Sequence, residues 1–245
     1  MLRLIFVCIM TIALSVSAAA GEVTIAAGVG LKDVVNDIAA AFTKKHPSVR
    51  ILKNYAASGV LAKQLDGGGN MDVLFVANVG WMNYMKEKKH VDPATVMPFA
   101  YNTLVFVSSN PHGPATLNDV TKLNRIAIGS PKSVPAGEYA IEAFKKAGID
   151  KQLENKLVMA RDVRECLMYA ERGEVDGAFV YKTDALHSRQ VTVRFTVPQE
   201  LFSRVVYMTA LTVTGTKNQD AKDFFSFLQS DEARSIIRRH GFVIR

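Results

Sequence analysis

Short apolar runs alternate with amphipathic stretches along most of the chain, and turns of small residues separate many of them. This alternation is the feature that most narrows the fold. Strand followed by helix, repeated, closes as a mostly parallel sheet with helices on its faces, so the chain is read as α/β. Residues 23–27 read as a strand, and Leu31, Val34, Val35, Ile38 and Phe42 then fall at helical spacing up to the stop at Pro47. Further strands are expected at 50–55, 73–77, 104–108, 126–128 and 177–181. Helices are expected at 60–65, 138–147, 163–172, 221–228 and 232–240.

No internal repeat appears, and no Pro/Gly/Ser-rich linker divides the chain. Two lobes would therefore have to be joined by ordered crossings. The extended apolar stretches around Tyr101–Val107 and Val205–Val213 are placed for that role. The expected division is 21–100 plus about 212–245 for one lobe and about 105–205 for the other, with crossings near 101–104 and 206–211. Lobes joined in this way can close over a ligand by a hinge motion.

The first twenty residues read as a cleaved signal peptide. Arg3 supplies the positive start, residues 4–16 are apolar apart from Thr11 and Ser15, and Ala18-Ala19-Ala20 offers a cleavage site before Gly21. The run is short for a membrane span. Cys8 lies well upstream of the cut, so lipid attachment there is not expected. The mature protein is thus expected in the periplasm, with Cys166 as its single thiol and no internal disulfide. Nothing beside Cys166 suggests activation, and a thiol enzyme is rejected.

The net charge of +7 suits an anionic partner, but the basic residues are scattered and do not interleave with aromatics, so nucleic acid is not expected. The five histidines are isolated, without metal-ligand spacing. Asp33 and Asp37 read as a solvated helical face. Nothing looks poised to break a bond, and the chain reads as a binding protein rather than an enzyme.

Four strand-to-helix turns stand out: Gly28-Val29-Gly30, Ala56-Ala57-Ser58-Gly59, the stretch Ser130–Gly137, and Asp162-Val163. Such turns gather at the carboxyl edge of an α/β sheet. Each helix start offers unpaired N–H groups and the positive end of the helix dipole, which together bind anions without a cationic side chain. Any one turn is ordinary packing; a ligand site needs several to converge.

Motifs in the same turns and around them carry a resemblance. Tyr55-Ala56-Ala57-Ser58-Gly59-Val60-Leu61, Met71-Asp72-Val73-Leu74-Phe75-Val76-Ala77 and Trp81-Met82-Asn83-Tyr84 carry it in the first half. Val134-Pro135-Ala136-Gly137-Glu138-Tyr139-Ala140, Asp162-Val163-Arg164 and Val180-Tyr181-Lys182-Thr183-Asp184-Ala185 carry it in the second. With these motifs the chain resembles the periplasmic molybdate-binding proteins of ABC importers, from about Val23 to Ile244.

The resemblance implies a two-lobed, type II-like binding-protein fold with the ligand cleft between the lobes. It implies a monomer that captures molybdate or tungstate, uses no cofactor or metal cation, and docks on a membrane permease. By position it implies an oxyanion site of Gly30, Ser58, the backbone N–H groups of Ala136 and Val163, and the Tyr181 hydroxyl. The chain departs from the pattern at Gly30, where the family has a serine. Loss of one hydrogen bond to a charged group weakens binding by about tenfold to a hundredfold. The departure keeps open a different oxyanion or small anionic solute as cargo. An enzyme or a sensor module on the same architecture is the remoter alternative.

Overall fold

A computed structural model describes residues 21–244, so the expected leader and its cleavage point lie outside the described residues. The strands are β1 (Gly21–Gly28), β2 (Val49–Ala56), β3 (Val73–Val76), β4 (Met97–Tyr101), β5 (Leu104–Ser108), β6 (Ile126–Gly129), β7 (Leu157–Ala160), β8 (Gly177–Tyr181), β9 (Thr192–Thr196) and β10 (Val206–Leu211). The α-helices are α1 (Lys32–Lys45), α2 (Ser58–Asp66), α3 (Val79–Glu87), α4 (Pro135–Lys146), α5 (Asp150–Leu153), α6 (Val163–Glu171), α7 (Lys182–Ala185), α8 (Gln219–Phe227) and α9 (Asp231–Arg239).

Local chemistry explains where the helices begin and end. In α1, Asp33 lies in the first turn and Lys44 and Lys45 in the last, each complementing the helix dipole. Val34, Val35, Ile38 and Phe42 form its buried face. Asn78 and Asp162 cap α3 and α6 by accepting the N–H groups of Trp81 and Glu165. Pro135 opens α4 at a position where its missing N–H costs nothing.

The strands form two five-stranded sheets of the same plan, β2-β1-β3-β10-β4 and β7-β6-β8-β5-β9. Four strands of each sheet point one way. The opposed strands are β10, antiparallel to β3 and β4, and β5, antiparallel to β8 and β9. Each opposed strand is the first that the chain makes after passing between the sheets, over 102–103 and over 197–205. Residues 206–211, expected as a crossing, instead form β10 inside the first sheet. A largely apolar extended run serves equally as a strap or as a buried strand, and Tyr207, Ala210 and Leu211 are buried here.

Helices cover both faces of the first sheet. Leu61, Leu65, Met82 and Met85 of α2 and α3 pack on one side. Phe42 meets Phe224 edge-on at 5.3 Å on the other. In the second sheet Phe179 sits between Phe106 at 4.9 Å and Phe144 at 5.0 Å. Full burial of each such ring is worth about 1.5–3 kcal/mol. Among the described residues no helix is long and apolar enough to cross a membrane.

Candidate functional site

The carboxyl ends of β1, β3 and β8 and the first turns of α2, α4 and α6 meet at one cavity of about 270 Å³, part of it open to solvent. Gly28, Val29, Gly30, Ala57, Ser58 and Ala77 line it from the first sheet's side. Val134, Pro135, Asp162, Val163 and Tyr181 line it from the second. Of the five residues singled out in the sequence, Gly30, Ser58, Val163 and Tyr181 are therefore in its wall. Ala136 follows Pro135 in α4, fully buried, one residue behind the lining.

The available donors can be derived turn by turn. In α4, Pro135 has no N–H, and the N–H groups of Gly137 and Glu138 both donate to Val134 O, at 2.9 and 3.2 Å. Ala136 N–H is left as the uncommitted donor of that turn. In α6, the Asp162 carboxylate accepts Glu165 N–H at 2.9 Å and Asp162 O accepts Cys166 N–H at 3.3 Å, leaving Val163 N–H as a first-turn donor. Ser58 Oγ accepts Ala77 N–H at 3.1 Å, so its own O–H remains to be donated. The Tyr181 hydroxyl is buried with no hydrogen-bond partner among the described residues. Burial pushes its pKa well above the usual phenol value, so it stays a donor.

Among the described residues no lysine or arginine lines the cavity. Its one carboxylate, Asp162, is committed to capping α6. The site offers donors almost exclusively, which fits a small, fully deprotonated anion. Gly30 is closely neighboured: a Cβ there would stand 3.2 Å from Asp184 Oδ2 and 3.4 Å from Val163 Cγ1.

The two lobes also touch directly. Gly59 N–H donates to Ser133 O at 3.0 Å, and a Cβ on Gly59 would lie 2.8 Å from Ser133 Cα, so this approach requires glycine. Glu138 accepts from Asn78 Nδ2 and Trp81 Nε1, both at 2.8 Å. Burial raises the Glu138 pKa, and those two hydrogen bonds oppose the shift. Arg164 donates to Asp33 at 2.7 Å and pairs with Asp184 at 2.7 Å. Asp33, read from the sequence as solvated, is thus an inter-lobe partner. Its i, i+4 neighbour Asp37 pairs with His240 at 2.8 Å. Only spatial proximity reveals these contacts, because their partners lie far away in the chain.

The Cys166 thiol is fully buried, donates to Asp162 O at 3.4 Å and has its pKa raised by burial, which fits a packing role. Among the described residues no group of three or more His, Cys, Asp or Glu is arranged to hold a metal ion.

Residues 23–243 match the family model described as bacterial extracellular solute-binding protein. The chain belongs to that family. It is 35% identical over 233 residues to the molybdate-binding protein ModA of Escherichia coli, covering 92% of this chain and 90% of that one. It is 34% identical over 227 residues to a putative ABC transporter substrate-binding lipoprotein, YvgL, of Bacillus subtilis, covering 90% and 85%. Its fold superposes on the periplasmic molybdate-binding protein of Azotobacter vinelandii with a TM-score of 0.82, at 19% identity, over 91% of this chain and 100% of that one.

Proposed function

We propose that this solute-binding protein captures molybdate for an ABC importer, holding the dianion between its lobes. Ser58 and Tyr181 would give hydroxyl donors, and Gly30, Ala136 and Val163 backbone N–H groups. The observation that carries the reading is the buried Tyr181 hydroxyl in the cavity wall with no partner. A buried unsatisfied hydroxyl costs about 1–3 kcal/mol until something accepts its proton. An anion bridging the lobes removes that cost only when the lobes are together, and this is the differential affinity that a closing motion requires.

A site of donors also selects by protonation state. Molybdate, tungstate and sulfate carry no proton at neutral pH, whereas hydrogen phosphate brings one that would find no acceptor. Cavity size must then separate molybdate from the smaller sulfate. The protein acts as a monomer in the periplasm after loss of its leader, does no chemistry on its cargo, and delivers it to a membrane permease. The similarity to ModA proteins supports the cargo and the route.

Gly30 favours one second reading, in which the preferred cargo is another oxyanion, because the hydroxyl that the family pattern places there is missing. Calorimetric titration with molybdate is expected to give tight one-to-one binding, and absence of heat through the micromolar range would overturn the assignment. Competition with tungstate and sulfate separates the two readings.

A further inference from the structure

We propose that Arg164 is a positioning residue that ties anion capture to closure of the lobes. The proposal rests on the capture reading above, and its observations are geometric. Arg164 follows Val163, a residue of the cavity wall, yet does not line the cavity itself. Its guanidinium reaches two other helices: Nε lies 2.7 Å from Asp184 Oδ1 in α7, the helix that begins directly after Tyr181. Nη2 donates to Asp33 Oδ2 at 2.7 Å in α1, the helix that the Gly28-Val29-Gly30 turn opens.

One side chain therefore joins, from behind the wall, the segments carrying Gly30, Val163 and Tyr181. The Asp184 arm lies within the second lobe, and Asp184 itself is fully buried, so the arm survives hinge motion and keeps Tyr181 in register with Val163. The Asp33 arm crosses to the first lobe, so parting the lobes breaks it. Arg suits the task because its extended guanidinium can face two carboxylates at once, donating a hydrogen bond to Asp33 and lying in close ion-pair contact with Asp184, whereas a lysine ammonium is a single point charge. Both arms spend its charge on carboxylates, so the dianion is held without a direct cation.

The test is a double-mutant cycle of Asp33→Asn and Arg164→Lys, read by stopped-flow dissociation of molybdate. D33N is expected to release the anion about fivefold faster, the scale of one half-exposed ion pair, with the melting temperature of the ligand-free protein unchanged. In the R164K background the same substitution is expected to have no further effect. Release from D33N at the wild-type rate, or an undiminished effect in R164K, overturns the proposal. Small-angle scattering of ligand-free protein at low salt gives an arm independent of the cargo. D33N is expected to show a larger radius of gyration than wild type, and equal radii overturn the clamp. Failure of the wild type to bind molybdate would instead strike the capture reading.

Discussion

The first lobe brings to the cavity a hydroxyl that is already engaged, and the second brings one that is not. Ser58 Oγ accepts Ala77 N–H, which fixes the oxygen and leaves its proton to point elsewhere. The Tyr181 hydroxyl is equally buried and has no hydrogen-bond partner among the described residues. The two sheets share one strand plan, so the difference comes from the residues at the strand ends and not from the architecture. On the proposed function, one half is organised before the anion arrives. The other half would gain most from its arrival, and that asymmetry would supply a driving force for closure.

Substituting the two hydroxyls separately is the strongest way to break this comparison. Ser58→Ala removes a donor to the anion and also orphans the buried Ala77 N–H. Molybdate affinity is expected to fall about tenfold to a hundredfold by calorimetry, and denaturant unfolding of the ligand-free protein to lose about 1–3 kcal/mol. Tyr181→Phe is expected to cost about tenfold or more in affinity while leaving the ligand-free protein equally or more stable, since an unsatisfied group is removed. Equal stability losses in the two variants would erase the distinction between the lobes.

Gly30→Ser sharpens the comparison with a smaller effect, expected to stay under about tenfold. The new side chain would face Asp184, whose pKa burial pushes up to about 7 against the lowering influence of Arg164. Paired with Arg164, the Asp184 carboxylate can accept the serine O–H and withdraw it from the anion. The variant is expected to bind molybdate no more tightly than wild type near about pH 8, and a calorimetric titration there checks the sign.

Much of this molecule is legible in the sequence because its interior strands are short apolar runs followed by small-residue turns. Of the four strands not expected as such, β4, β7 and β9 lie at sheet edges, and β10, expected as an extended crossing, is interior. β9 is largely exposed and β4 contains Pro98, which an edge strand tolerates because one side of its ladder is unpaired. β9 carries a weak apolar signal for that reason, whereas β7 is apolar but only four residues long. At the site, the turns carrying Gly30, Ser58, Ala136 and Val163 can be picked out as helix starts, and the family resemblance says that they matter and adds Tyr181. The contacts that join the lobes could not be read. Asp33 and Arg164 are 131 residues apart, and Trp81 and Glu138 are 57. Neither pair has a local pattern, since each exists only when two separately folded surfaces meet.

The bond from the Trp81 indole to Glu138 has a practical consequence. This is the only tryptophan in the chain, and its ring nitrogen is held by a carboxylate from the opposite lobe. Indole emission responds to such a neighbour, so the protein contains its own optical gauge of the gap between its halves. A fluorimeter can follow opening and shutting without an attached dye.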